Sequence, residues 1–310
     1  MRAMIVAAGM GTRLRPLSDL RPKPAVPVRG LPLVAYSLAL LAQHGVREVV
    51  INQHPLPWIL EDAARRHRPE SLELRFSHEP QLLDTGGGVR KVAGFLRESD
   101  PCLLLGGDML LDADLGGLVA RHLARGDAAT LLLTEDPRAP RFGTLGVDGA
   151  GRLRRIAGRL DLGGEERAGI WPWVAVLSPR AFDHMPDREV FVFLDDWIGG
   201  MLSAGVPGVR AEVASAEEIT WEPVGRLEEY LAVNLTPRSL SYLDADARAR
   251  AEGTHFGPGL VVGAGAIVEP GARLERAVVW DRERVPASLQ ASDGVFAGGT
   301  FHPLKGETQR

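Results

Sequence analysis

Arg13, Arg15, Arg21 and Lys23 crowd one short stretch, interleaved with Pro16, Pro22, Pro24 and Pro27. Prolines stiffen such a loop, so its cations are held in place rather than waving in solvent. Ala8-Gly9-Met10-Gly11-Thr12 stands just before them and has almost no bulk. Small residues let backbone N–H groups close on an anion, and two glycines permit φ values that other residues resist. Ala3 to Ala7, an apolar run of strand formers, feeds the loop as a buried parallel strand would. A stiff, cationic, glycine-opened loop at a strand's end is a polyphosphate cradle, lined by Ala7, Ala8, Gly9, Met10, Gly11, Thr12 and Arg13. Further on, Asp108 closes Leu104-Leu105-Gly106-Gly107. A carboxylate at the carboxyl end of a strand in an open α/β sheet lies on the ligand side. Magnesium favours one or two carboxylates plus substrate phosphates, so Asp108 is the expected Mg²⁺ ligand.

Two commoner phosphate motifs are excluded. The dinucleotide fingerprint needs a third glycine where Leu14 stands, and no Gly-Lys-Ser/Thr triplet of a P-loop occurs. What remains is G-x-G-T-R-L-x-P-L from Gly9, then P-K-P-x-x-P-V from Pro22. This long pattern resembles the signature of the sugar-1-phosphate nucleotidyltransferases. The resemblance covers about residues 1–240 and implies transfer of a nucleoside monophosphate from NTP to a sugar 1-phosphate, releasing pyrophosphate. It implies that Arg13 grips the β- and γ-phosphates, that Lys23 reaches the α-phosphate or the incoming phosphate, and that Asp108 is the metal aspartate. Leu83-Asp84-Thr85-Gly86-Gly87-Gly88 then reads the nucleobase, with Gln81 pairing a base edge and Gln53, in Asn52-Gln53-His54, on the same rim. Base identity stays open. The triple glycine resembles that of members acting on mannose 1-phosphate or N-acetylmuramate 1-phosphate.

The chain also departs from the family pattern. A second metal aspartate is usual in Trp-x-Asp-x-Gly, and here Trp221-Glu222-Pro223-Val224-Gly225 puts proline in its place. Glu222, one residue away, is the second candidate metal ligand beside Asp108, although in a strand it points to the opposite face unless the backbone bulges. Ala157-Gly158-Arg159 replaces a usual Glu-Lys-Pro; Arg159 is either a phosphate cation or simply solvated. Trp171 and Trp173 stand near a usual glycine, either reshaping the acceptor pocket or serving as ordinary core aromatics. A catalytically impaired, nucleotide-sugar-sensing homologue is therefore the alternative to an enzyme.

Hydrophobic residues make up 45% and charged residues 25% of 310, which suffices for a sizeable core. A net charge of −4 implies no basic face for nucleic acid, so the early cations form a local anion site. Cys102 is the single cysteine, which rules out an internal disulfide. No long apolar segment or leader pattern is legible, and a cytoplasmic protein without membrane partners is expected.

To hold these groups, strands are expected at 3–7, 48–52, 72–76, 102–105 and 128–133, alternating with helices at 33–41, 58–66, 88–97 and 115–124. That alternation means a Rossmann-like α/β domain with a mostly parallel sheet. From about 140 the rhythm turns mixed. A hairpin is expected over 141–147 and 151–156, strands at 173–177, 209–214 and 219–222, and helices at 195–204 and 226–235. The catalytic domain is placed at 1–245. Gly259, Gly265 and Gly271 fall six apart within 250–310, which suits a short left-handed β-helix-like, hexapeptide-repeat segment. Such a stub must pack on the main domain or on another subunit, giving a homo-oligomer in the latter case.

Overall fold

The computed structural model describes residues 1–304. Its main sheet has seven strands: β1 (Arg2–Val6), β2 (Glu48–Gln53), β3 (Glu73–His78), β4 (Cys102–Gly106), β5 (Ala129–Thr134), β6 (Val174–Leu177) and β7 (Val209–Ala214). They lie in the order β7-β5-β6-β4-β1-β2-β3. All pair in parallel except β6, which is antiparallel to both neighbours. Helices α1 (Leu33–Gln43), α2 (Pro57–Arg66) and α4 (Leu115–Arg125) cover one face, and α3 (Asp84–Lys91) lies on the other.

Strand parity sorts the side chains. Ile5, Val49, Ile51, Leu103 and Leu105 pack with Leu38, Leu41, Leu60 and Leu118. Met4, Val50 and Leu104 face the other way, towards Val89, Phe182, Trp197 and Met201. Full burial of each such side chain contributes about 1.5–3 kcal/mol, so register is strongly specified. The chain leaves β1 for β2 and β3 on one side and returns to β4 on the other. The loops after β1 and β4 therefore part at a topological switch point, where open α/β sheets leave a ligand crevice.

Three local expectations are corrected. The helix expected over 88–97 is two, Asp84–Lys91 and Ala93–Arg97. Arg141 and Phe142 belong to a helical turn, Ala139–Phe142, and the hairpin pairs only Leu145–Val147 with Leu153–Ile156. Strand β6 begins at Val174, because Trp173 has a left-handed φ of 55°.

After α5 (Leu227–Leu235) the chain forms a second sheet. Leu260–Val262, Arg273–Val279 and Gln290–Ala297 run parallel, with Val261, Val278 and Val295 in line. Those valines and Trp280 pack on Tyr230, Leu231 and Val233 of α5, and on Leu14, Leu17 and Val28 of the cationic loop. Trp280 Nε1 donates to the Tyr230 hydroxyl at 2.9 Å, and that hydroxyl donates to the Pro27 carbonyl. Arg21 reaches Asp281 at 2.6 Å and lies 4.8 Å over the Trp280 ring. The C-terminal sheet thus braces the loop that carries Lys23.

Candidate active site

The loop after β1 turns at Gly11, whose φ of 61° favours glycine. A Cβ there would lie 3.1 Å from Ser18 Cβ and 3.4 Å from Lys23 Cβ, so the bare Cα lets the loop fold back on itself. A helical turn, Thr12–Leu14, follows, and Leu14 and Leu17 are fully buried as its anchors. Lys23 is buried with only its end group near the surface, and its Nζ donates to Asp108 Oδ2 at 2.7 Å. Asp108 is half-exposed. A recess of about 320 Å³ opens here. Ala7, Gly9, Met10, Gly11, Thr12, Arg13, Lys23, Thr85 and Asp108 all line it, as do Gly106, Trp173 and Gly225. Arg13 reaches towards Gly225, its Nη2 standing 3.5 Å from the place a Cβ on Gly225 would take. Ala8 is buried behind the lining.

Two polar residues hold this loop from beneath. Asn52 Oδ1 accepts from the Ala7 N–H at 2.6 Å, while its Nδ2 donates to Glu79 Oε1 at 2.8 Å. Glu79 is buried and also accepts from the Leu83 N–H at 3.2 Å, so one carboxylate ties the ends of β1, β2 and the loop before α3 together. Unpaired, such a buried carboxylate would be costly. The signal in the sequence was a pair of polar residues at the ends of apolar strands.

Several expected site residues fall elsewhere. Gln53 is buried on the sheet face opposite Asn52, as strand alternation requires, and its Nε2 has no partner among the described residues. Gly86 and Gly87 do not offer their amides to a base, because both donate to the Phe191 carbonyl, at 2.8 and 3.2 Å. Cβ atoms there would lie 2.3 Å from the Phe191 ring and 2.1 Å from the Glu189 carbonyl oxygen, so these glycines admit a crossing segment. Gln81 and Gly87 line a separate recess of about 520 Å³ with Arg90, Lys91 and Glu189. Glu222 is also drawn away from Asp108. It pairs with Arg138 at 3.1 Å and Arg238 at 2.7 Å in another recess, where the Arg138 hydrogen bond also holds the Asp136 carboxyl below its usual range. Arg159 is 74% exposed, 3.6 Å from Asp195 Oδ2, and lies outside the crevice.

Asp108 is the single carboxylate lining the recess. Pro223, opposite Met109 in an antiparallel pair, has no side-chain donor atom to add. Among the described residues no cluster of three His, Cys, Asp or Glu could cage a metal. This donor set suits a hard cation that shares one protein carboxylate with phosphate oxygens and waters.

A model of the nucleotidyl transferase family matches residues 2–158. The chain belongs to that family. A mannose-1-phosphate guanylyltransferase of Mycobacterium tuberculosis is 30% identical over 302 residues, covering 92% of this chain and 81% of that protein. An N-acetylmuramate alpha-1-phosphate uridylyltransferase of Neisseria meningitidis is 39% identical over 140 residues, or 44% of this chain and 60% of its own. The solved structure of HddC from Yersinia pseudotuberculosis superposes with a TM-score of 0.59 over 74% of this chain and 96% of that one. At 22% identity that likeness speaks for the fold alone. In this nucleotidyl transferase the family match includes the glycine loop, Lys23, Asn52, Glu79 and Asp108, and it stops before Trp173. No helix among the described residues is long and apolar enough to cross a membrane.

Proposed function

We propose that this nucleotidyl transferase joins an NTP to a sugar 1-phosphate, giving an NDP-sugar and pyrophosphate. The observation that carries the reading is the contact between Lys23 and Asp108, made at the mouth of a glycine loop on the ligand side of the sheet. The amides of Gly9–Thr12 and the Arg13 guanidinium hold the β- and γ-phosphates and steady the departing pyrophosphate. Lys23, fixed between two prolines, presents its ammonium to the α-phosphate and offsets the repulsion between two anionic partners. Asp108 holds Mg²⁺, which supplies charge neutralisation of the phosphate oxygens when bound. An oxygen of the sugar phosphate attacks the α-phosphorus, and the bond to pyrophosphate breaks.

Relatives named for GTP- and UTP-derived transfer to mannose, glucose and N-acetylmuramate 1-phosphates bound the substrate class without choosing within it. We place the catalytic unit at 1–245 and read the described part of 250–310 as a left-handed β-helix stub that packs one face on the catalytic unit and leaves another for a second copy of the chain in the cytoplasm; residues 305–310 lie outside the described residues. A second reading, a nucleotide-sugar sensor without turnover, is favoured by Pro223 and by the bulk of Trp173 in the crevice. Pyrophosphate release measured across four NTPs and a panel of sugar 1-phosphates separates the two. Turnover lost in Asp108→Asn supports the enzyme; nucleotide binding with no turnover on any acceptor supports the sensor.

A further inference from the structure

Among the described residues Trp173 is the one aromatic side chain that lines the crevice, and its backbone is bent to put it there. A φ of 55° lies in the left-handed region, where a bulky residue is rare and persists only when its surroundings hold it. Two contacts do so, one of them backed by a further ring. Its carbonyl accepts from the Gly106 N–H at 2.9 Å. Trp171 stacks against it with ring centroids 4.2 Å apart at 33°, and Phe193 backs Trp171 at 5.5 Å. Gly106 makes room: a Cβ there would stand 2.8 Å from Trp173 Cβ, 3.4 Å from its Cγ and 3.4 Å from Asp108 Oδ1. The indole and the Asp108 carboxylate are thus neighbours across one bare Cα.

Strain beside a reacting centre, with the ring only partly buried and lining the recess, is a poor way to fill a core and a good way to present a flat apolar surface. We infer that Trp173 is the specificity-determining platform for the acceptor: it packs against the apolar face of a hexopyranose 1-phosphate whose phosphate is delivered to Lys23 and Asp108. This rests on the transfer reaction proposed above. The Trp171–Phe193 stack behind it keeps the plane fixed, so the platform selects ring acceptors over acyclic phosphates of equal charge.

Trp173→Gly tests this, since glycine adopts the same φ freely and the variant keeps its backbone. With NTP saturating, the KM for glucose, mannose and N-acetylglucosamine 1-phosphates is expected to rise about tenfold for those the enzyme uses, the worth of one aromatic contact. The KM for NTP should stay within about twofold, and Trp173→Phe should recover most of the loss. An unchanged acceptor KM, or an NTP KM that moves as much, overturns the inference. Calorimetric titration of wild type and Trp173→Gly with the same sugar phosphates reads binding without turnover. Equal affinities, or no binding to wild type, overturn it as well, whereas failure to release pyrophosphate with any substrate pair counts against the transfer reaction alone.

Discussion

Lys23 Nζ lies 2.7 Å from Asp108 Oδ2, so a buried cation from the proline-stiffened loop meets the acid that ends β4 across 85 residues of chain. In the transfer reaction proposed above, the substrate phosphates insert between these two charges. Asp108→Asn keeps a hydrogen-bond acceptor for the ammonium but removes the charge that would hold a cation. We expect kcat to fall by about 10³-fold, the scale of losing one electrostatic group at a phosphoryl-transfer centre, with the melting temperature little changed. Steady-state kinetics beside a thermal melt would check this; a tenfold loss or less would refute the role.

Metal removal should be equally telling. With one carboxylate to offer, the free protein should bind Mg²⁺ only weakly, and binding should tighten when a triphosphate brings further oxygens. Excess EDTA is expected to stop pyrophosphate release, and added Mg²⁺ to restore it. Tight Mg²⁺ binding by the nucleotide-free protein, seen by calorimetry, would contradict a single-carboxylate site.

Glu222 offers a contrast. Held by Arg138 and Arg238 away from Asp108, it should matter little to chemistry. Glu222→Gln is expected to change kcat by less than about threefold, and a collapse comparable to that of Asp108→Asn would return it to the metal shell.

Asn52→Ala strips partners from the Ala7 amide and the Glu79 carboxylate together. Leaving the buried amide without its acceptor and Glu79 with only the Leu83 N–H should cost about 3 kcal/mol, read as a lower denaturant midpoint. The KM for NTP should rise as well, because the phosphate loop loses its support.

His122 gives the pH dependence. Burial holds its pKa below the ordinary 6.5, only partly opposed by the charge of Asp127, while its ring nitrogens lie 2.9 Å from Thr130 Oγ1 and from Ser178 Oγ. The unfolded chain takes up the proton near pH 6.5 and the folded one only at lower pH, so the unfolded state binds more protons in between. Stability should therefore fall as pH drops below about 6.5, and His122→Gln should flatten that fall between pH 7.5 and 5.5. Chemical denaturation at several pH values measures it; an unchanged slope would exclude His122 as the source.

The buried strands were legible because their apolar runs admit no other use, and the glycine–cation loop because its spacing is long and specific. Side-chain partnerships between distant segments were not. Asn52 and Gln53 differ by one position, and only the sheet's parity sends the first to the loop and the second to the opposite face. The emptiness of Gly86 and Gly87 was plain in the sequence, but not that Phe191 and Glu189 would fill it. Glu222 went to Arg138 and Arg238 because two guanidiniums stand within its reach, a fact of tertiary placement. Trp173 could be flagged as out of pattern, yet its left-handed backbone became visible only in three dimensions.

The indole of Trp280 supports Arg21 from below and steadies Tyr230, which in turn clasps Pro27. The tail is therefore a keystone for the cradle rather than an appendage. Severing the chain ahead of Gly253 would leave the parallel sheet able to assemble, yet slacken the prolines that aim Lys23, so that a triphosphate would have to tauten its own binding loop on arrival.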